Sequence, residues 1–461
     1  MNPQLSGLLK KYDIPGPRYT SYPTAPAWIS GVNSESYRQS LQSLKCSDPL
    51  SLYFHLPFCE NLCHFCGCTT VITTKHDRSH DYVNILLKEV DQVVSCFPKE
   101  AKKMTVSQLH FGGGSPNFLK PEELKEIVGC VRKNFDLLSD AEMAIEMHPR
   151  TSTNAFCEMV AQLGFNRISL GVQDLDPKVQ KLINRHQTFE MTESMMHLLR
   201  ALGLHSFNLD LVYGLPGQSV EGWTKTLEQV IALQPNRLAV YSYAHIPWVR
   251  PVQRSFKDSD LPSPEMKIRF FEMAYQTFIH NKYRLIGMDH FATEEDDLSA
   301  AVRQGTIHRN FMGYSTKADA HQLGFGMSAI SFVGGNYFQN QKELEAYKKS
   351  VESHGLATFR GYLLHQDDSL RRDLIQKIMC RGLVEISQFE KEWNISFRNY
   401  FADELNHLDS FVEDGLLRRT NEVLEVVGDG FLFLRNMAMV FDRYLEGIRE
   451  KSANPVFSRT V

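Results

Sequence analysis

Between residues 50 and 243 the chain alternates short, continuously apolar runs with longer amphipathic stretches. The apolar runs predict six strands, at residues 50–57, 106–111, 142–147, 167–172, 207–213 and 237–243. Apolar residues at helical spacing predict helices between them, at residues 79–97, 121–135, 153–163, 178–202 and 220–233. A run that is apolar on both faces, such as 238–241, is typical of a parallel sheet covered by helices. We therefore expect an α/β fold, a partial (β/α)6 TIM-like barrel.

Two further segments flank this barrel. Residues 13–24 contain three prolines in nine positions, which excludes a helix, and their tyrosines and arginine favour an ordered flap over a flexible lead-in. After the barrel we predict a helix at 265–280, a strand at 284–290, and beyond about residue 341 helices at 371–380, 386–393, 397–412 and 431–445 around a hairpin-like stretch at 416–427. The expected parts are an N-terminal arm (1–35), the barrel (36–290) and a mostly helical C-terminal domain (291–461), winged-helix-like in part.

Composition narrows the function only by exclusion. The 461-residue chain is 43% hydrophobic and 23% charged, which is ordinary for a globular protein with a large core. No apolar run approaches the ~18 residues of a membrane helix, and 50 basic against 54 acidic residues give no electrostatic case for nucleic acid. Nothing at the N-terminus resembles a secretory signal, so we expect a reduced, cytoplasmic protein.

Four cysteines lie within ten positions: Cys59, Cys63, Cys66 and Cys68. The first three have the spacing C-x3-C-x2-C. This spacing can place three thiolates on one iron–sulfur cluster and leave its fourth iron open to a substrate or cofactor. A zinc site usually has two separated ligand pairs, and the sequence shows no second pair. A cluster is the favoured interpretation, with zinc or no metal as the alternatives. The remaining cysteines are isolated and are expected to be buried free thiols: Cys46, Cys96, Cys130, Cys157 and Cys380.

Glycine and polar residues follow the predicted strands, at the edge where parallel βα folds bind ligands. The second strand ends in the run Gly-Gly-Gly-Ser-Pro at residues 112–116, which lets a ligand approach the backbone. Glu146 and Gln173 end the third and fourth strands, and Asp210 interrupts the apolar fifth strand. A buried carboxylate such as Asp210 needs a partner, which is either an internal cation or a ligand.

Taken together, the cysteine spacing, the glycine loop and the polar strand ends resemble the radical S-adenosylmethionine (SAM) superfamily. Longer motifs resemble the oxygen-independent coproporphyrinogen III oxidase family within it, and they extend over essentially the whole chain: residues 16–24, 66–68, 171–174, 210–216, 243–245, 287–291, 308–311 and 328–330. Ser115, His148 and His186 replace residues that are commoner in the family. These differences put the fine tuning of the activity in doubt, but not the function that the resemblance implies.

The resemblance implies a [4Fe–4S] cluster on Cys59, Cys63 and Cys66, whose open iron binds SAM and whose electron cleaves it to a 5′-deoxyadenosyl radical. The radical would remove a hydrogen from two propionates of coproporphyrinogen III in turn. Each propionate would become a vinyl group with loss of CO2, giving protoporphyrinogen IX in anaerobic haem biosynthesis. An unidentified electron donor would be required, and similar enzymes are monomers.

The resemblance also implies two SAM molecules. One would be bound by the first of two residue sets: Tyr53, Gly113, Glu146, Ala244 and Ile330. The other would be bound by the second set: Phe65, Gly114, Ser115, Gln173, Arg185 and Asp210.

Several alternatives remain open at this level. Cys68 is either a fourth cluster ligand or, as the family pattern favours, a neighbouring thiol. Arg18 and Arg309 are candidate anchors for substrate carboxylates, or surface arginines without a role. A haem-binding chaperone of the same superfamily is the nearest rival, but such relatives lack the arm and the Gly-Cys after the third cysteine. An electron-transfer protein would need Cys68 as a fourth ligand.

Overall fold

The computed structural model describes residues 3–100, 103–318, 320–452 and 454–460. Six consecutive parallel strands form the centre of one twelve-stranded sheet: β1 (Leu50–Leu56), β2 (Thr105–Gly113), β3 (Asp136–Met147), β4 (Arg167–Gln173), β5 (Phe207–Tyr213) and β6 (Arg237–Ser242). Each strand pairs in parallel with the next, as Leu52 with Leu109 and Leu170 with Leu209. These leucines are fully buried because helices cover the sheet.

Helices follow the strands as the periodicity predicts, at Asp77–Ser95, Pro121–Asn134, Asn154–Gln162, Pro177–Leu182, Phe189–Ala201, Val220–Ala232 and Pro264–His280. Between 178 and 202, where helical stretches are expected, the chain forms two helices, and the first ends at Leu182. Asn184 there takes a positive φ of 54°, a left-handed conformation that asparagine tolerates and that ends a helix.

The sheet extends beyond the six-strand unit at both edges. A hairpin of β7 (Tyr283–Gly287) and β8 (His290–Thr293) pairs antiparallel with β6, where the sequence predicted a single strand; the chain turns at Met288, which has a φ of 51°. At the other edge lie β9 (His321–Phe325), parallel to β1, and then β10 (Ile330–Val333), β11 (Asn336–Asn340) and β12 (Thr358–Leu363). The sheet ends at β12 and β7 and does not close, which confirms the partial (β/α)6 barrel.

The added strands change the expected description of the C-terminal domain as mostly helical. The division at residue 290 stays a prediction, but the region after it is not helical throughout, because β9–β12 continue the barrel sheet. Helices Asp297–Gln304 and Leu344–His354 and a small hairpin (His308–Asn310 with Gly313–Ser315) lie among these strands.

Beyond residue 365 helices predominate: Gln366–Arg381, Ile386–Trp393, Phe397–Tyr400, Ala402–His407, Asp409–Glu413, Leu434–Met439 and Leu445–Glu450. They flank a three-stranded antiparallel sheet of Leu383–Glu385, Leu417–Arg419 and Val423–Val426. The single helix predicted at 431–445 is wrong. The α-helix ends at Met439, and the Asp442 carboxylate accepts a hydrogen bond from the Tyr444 amide (3.0 Å) in the turn that follows.

The N-terminal arm is ordered and packs against this C-terminal region. After the helix Pro3–Tyr12, Tyr19 and Tyr22 are only 1% exposed, in a hydrophobic cluster that includes Leu374 and Phe441. Arg435 is buried and donates hydrogen bonds to the backbone oxygens of Pro17 and Gly16. The helix Ser34–Gln42 then leads into β1. Among the described residues, no helix combines the length and apolarity needed to cross a membrane.

Glu89 joins the first barrel helix to the added strands. Its buried carboxylate accepts hydrogen bonds from the Gly326 amide (2.8 Å), the Asn340 Nδ2 (2.6 Å) and the Tyr347 hydroxyl (2.8 Å). Burial raises the pKa of Glu89 from its ordinary 4.5 to about 7, and the three hydrogen bonds offset only part of that effect.

We predict that Glu89→Gln makes stability less dependent on pH. The folded wild type binds the proton of the Glu89 carboxyl group more tightly than the unfolded chain does. The contribution of this proton to the free energy of unfolding is therefore complete below pH 4.5 and is lost as the pH rises through 7. Between pH 5 and 7.5 the free energy of unfolding of the wild type should fall by about 2 kcal/mol relative to that of Glu89→Gln, as measured by denaturant unfolding. The exposed Glu126→Gln should keep the wild-type profile. Parallel profiles for Glu89→Gln and wild type would contradict this prediction.

Candidate active site

Two loops at the carboxyl ends of β1 and β2 are bound to each other through their backbones. The Gly114 amide donates to the Leu56 carbonyl (2.8 Å), and the Ser115 amide donates to the Phe58 carbonyl (2.9 Å). Phe58–Cys59 also pairs with Val71–Ile72, which closes the base of the cysteine loop. The glycine loop therefore fixes the place where the cysteine loop leaves the sheet.

This contact requires glycine for steric reasons. A Cβ on Gly114 would lie 2.6 Å from the backbone carbon of Pro57, and one on Gly112 would lie 2.7 Å from Oε1 of Glu146. Gly113 has a φ of +108°, which side chains other than glycine rarely adopt. The run of glycines serves close packing of backbone and side chains as well as ligand approach.

The four cysteine side chains line one cavity of about 190 Å3, which we call the cysteine cavity. Cys59, Cys63 and Cys66 are half-buried, and no three His, Cys, Asp or Glu side chains in the described part of the chain converge on one point as ligands of a single ion do. Ser115 Oγ lies 3.6 Å from the Cys59 sulfur, and Arg185 Nη1 donates to the Cys63 sulfur at 3.8 Å.

Cys68 lies beside Cys66. The Cys68 amide donates to the Cys66 sulfur at 3.4 Å, and hydrogen bonding from Cys68 lowers the pKa of the Cys66 thiol to about 6. By contrast, burial raises the pKa of the Cys59 thiol to about 11. A thiolate at Cys66 is therefore stabilised by the neighbouring Cys68.

Glu146, at the end of β3, is held as a carboxylate. It interacts with His110 Nε2 through Oε1 (3.1 Å) and accepts from the Gly113 amide through Oε2 (3.2 Å). Although burial alone would raise the pKa of Glu146, these hydrogen bonds and the charge of His110 bring it below its ordinary value. The ring of Tyr53 stacks on His110, with centroids 5.8 Å apart, and its hydroxyl contacts His55 Nδ1 (3.1 Å).

Asp210 and Arg185 also line the cysteine cavity. Asn208 Nδ2 donates to Asp210 (2.9 Å), and no cation of the described residues lies within ion-pair distance of this carboxylate. Burial, reinforced by the charge of Glu146, raises the pKa of Asp210 to about 7. Asp210 therefore has no internal ion pair, and a bound cation would stabilise its ionised form.

A second cavity, of about 340 Å3, adjoins the first, because Glu146 lines both. We call it the arginine cavity, since Arg18 and Arg309 line it together with Tyr53 and His110. Arg18 forms an ion pair with Asp289 and lies over the ring of Tyr241.

The structure sorts the residues expected to bind cofactors between these cavities. The cysteine cavity is lined by the three expected cluster ligands, by Gly113 and Glu146, and by all members of the second set: Phe65, Gly114, Ser115, Gln173, Arg185 and Asp210. The arginine cavity is lined by Tyr53, Glu146 and Ile330 of the first set. Ala244, of the same set, is not among the lining residues; it lies in the loop after β6.

Several lining residues were not predicted from the sequence: His55, His110, Tyr241, His290 and Gln322. Tyr53 and His55, and likewise His110 and Gly112, are two residues apart on their strands and so face the same side. That alternation was the available signal, but it shows only a shared face and not the neighbouring cavity.

Comparison with known proteins agrees with this geometry. Residues 53–230 match the family model of the Radical SAM superfamily. The chain is 40% identical to the oxygen-independent coproporphyrinogen III oxidase of Escherichia coli over 98% of both proteins, and 41% identical to that of Pseudomonas aeruginosa, again over 98% of both. The solved structure of coproporphyrinogen III oxidase from Escherichia coli, described as a radical SAM enzyme, matches with a TM-score of 0.89 at 39% identity, covering 93% of this chain and 97% of that one.

The open parallel sheet with a cysteine loop after its first strand is thus that of a radical SAM protein. At this identity and coverage, the chain belongs to the oxygen-independent coproporphyrinogen III oxidase family. Its cofactors are a [4Fe–4S] cluster and SAM. The site fits both, because three thiols surround one cavity beside ionised Glu146 and the cationic Arg185.

We predict that Gly114→Ala damages the site through the backbone. The added methyl group would overlap Pro57, which should cost about 1–3 kcal/mol of stability and displace the cysteine loop. The melting temperature and the iron bound per chain after reconstitution should both fall. Gly129→Ala is the matched control: it has open space within its helix and should leave both values unchanged or slightly raise the melting temperature. Normal iron content in Gly114→Ala would contradict this role of the glycine.

Proposed function

We propose that this chain catalyses the oxidative decarboxylation of two propionate side chains of coproporphyrinogen III to vinyl groups, giving protoporphyrinogen IX in anaerobic haem biosynthesis. The observation that carries this proposal is the pair of adjoining cavities, one lined by the cysteines and one by arginines, at the carboxyl end of the barrel of a family member. Each propionate loses one hydrogen atom, one electron and CO2.

The proposed cluster ligands are Cys59, Cys63 and Cys66, and the two residue sets given above would each hold one SAM molecule. When bound, the cluster and SAM supply the electron and the carbon radical that removes the hydrogen. The chain's own part is to bind and orient. Arg185 can pair with a carboxylate of SAM, and Glu146, kept ionised by His110 and Gly113, can face a sulfonium.

The arm contributes by enclosing the site. Thr20 and Arg18 line the arginine cavity, and the neighbouring Tyr19 and Tyr22 are anchored among the C-terminal helices. Such enclosure excludes water and stray hydrogen donors from a reactive radical. We further infer that the enzyme works in the cytoplasm as a monomer with a separate electron donor, without nucleic acid or membrane.

The proposal is tested by the stoichiometry of an anaerobic reaction with reconstituted, reduced enzyme, SAM and coproporphyrinogen III. We expect about two 5′-deoxyadenosines and two CO2 per protoporphyrinogen, because each hydrogen removal consumes one radical. Chromatography measures all three products. SAM cleavage without a vinyl product would contradict the substrate, and no cleavage combined with tight haem binding would favour a haem chaperone.

We also predict different results for the four clustered cysteines. Serine at Cys59, Cys63 or Cys66 should abolish cluster binding and SAM cleavage, whereas Cys68→Ser should retain the cluster. Iron and sulfide analysis and electron paramagnetic resonance of the reduced protein measure this. The exposed Cys46→Ser is the control. Loss of the cluster in Cys68→Ser but not in Cys63→Ser would reverse the assignment.

A further inference from the structure

The two arginines of the arginine cavity differ in how their charges are compensated. Arg18 is ion-paired with Asp289, whose other oxygen accepts from His290 Nδ1 (2.8 Å). The carboxylate of Asp289 is therefore fully engaged. Arg18 is thus not a free cation.

Arg309 is only 2% exposed, yet no carboxylate of the described residues lies within ion-pair distance of it. Its Nη1 is buried without a hydrogen-bond partner. A buried guanidinium without an ion-paired anion is costly, because neutral hydrogen bonds replace only part of the hydration that the charge has lost. An anion entering the cavity would remove this cost.

Another buried pair of arginines in the same chain shows the contrast. Arg167 and Arg237 are matched by two carboxylates, Glu142 and Asp296, at 2.9 Å each. Arg237 also leaves one nitrogen without a partner, but its charge is compensated. Of the two arginines of the arginine cavity, by contrast, only Arg18 has a carboxylate in ion-pair contact, that of Asp289; among the described residues Arg309 has none.

The Arg309 side chain is also held in position in advance. Its Nε donates to the Arg18 carbonyl (3.1 Å), and its guanidinium lies 4.7 Å from the ring centroid of Tyr314. Its backbone exchanges two hydrogen bonds with the side chain of Gln376, at 3.3 and 3.0 Å. An anchor fixed in this way loses little conformational entropy when a ligand binds.

Resting on the proposed function, we infer that Arg309 anchors one propionate carboxylate of the porphyrinogen, while Arg18, neutralised by Asp289, positions Arg309 through its backbone carbonyl. The anchored propionate is one that is not reacting at that moment. Loss of CO2 removes the charge from the reacting carboxylate, so an arginine bound to that group would stabilise the substrate more than the transition state. Arg309 thus contributes to binding and orientation of the ring rather than to the bond-breaking step.

The test compares Arg309→Met and Arg309→Lys with wild type under anaerobic conditions. Arg309→Met should raise KM for coproporphyrinogen III about tenfold or more, with kcat within about threefold, because binding is lost equally in the ground and transition states. Arg309→Lys should fall between the two, since it keeps the charge and loses the planar fork. The exposed Arg398→Met is the matched control and should keep the wild-type KM.

A second measurement keeps binding separate from turnover. Coproporphyrinogen III should raise the melting temperature of the wild type and raise that of Arg309→Met much less, whereas its tetramethyl ester should not distinguish the two. An unchanged KM in Arg309→Met beside normal wild-type turnover would overturn this inference alone, as would a fall in kcat at constant KM. If Arg309→Met does not fold, a wild-type KM in Arg309→Lys would overturn the inference that Arg309 anchors a propionate. Absence of turnover in the wild type would instead overturn the proposed function, and the anchor with it.

Discussion

The site depends on the close contact between the backbones of two neighbouring loops. The amides of Gly114 and Ser115 bind the carbonyls of Leu56 and Phe58, and this contact is possible only because Gly114 has no side chain. It fixes the direction in which the cysteine loop leaves the sheet, and so the position of its three spaced thiols. The wall that carries Glu146 is fixed by the same loop, through the Gly113 amide.

Charge is distributed unequally along the two adjoining cavities. Near the cysteines, Glu146 and Asp210 line the cavity, and among the described residues only His110, beside Glu146, lies within ion-pair distance of either carboxylate. At the other end, Arg18 is paired with Asp289, whereas Arg309 has no carboxylate of the described residues in ion-pair contact. A cationic sulfonium is favoured beside these carboxylates, and a carboxylate group is favoured beside Arg309.

The C-terminal region supports this arrangement from outside the barrel. Arg435 binds the backbone of residues 16 and 17, and Gln376 binds the backbone of Arg309, so both arginines of the cavity are positioned by C-terminal helices. The arm and the segment 309–330 thus line the arginine cavity, and the C-terminal helices hold them in place, although these parts lie far apart in the chain.

The sequence by itself determined the parallel barrel, because strands buried on both faces are continuously apolar, and it located the cysteine and glycine loops at strand ends. It did not reveal β9–β12, since short strands such as 330–333 have no distinctive period. Nor could it rank Arg18 and Arg309, which look alike as sequence. Only the tertiary structure distinguished them, because it places the Asp289 carboxylate against Arg18 and leaves Arg309 Nη1 without a partner. The physical reason is that periodicity encodes which face of a strand or helix is buried, whereas charge compensation depends on contacts between distant residues.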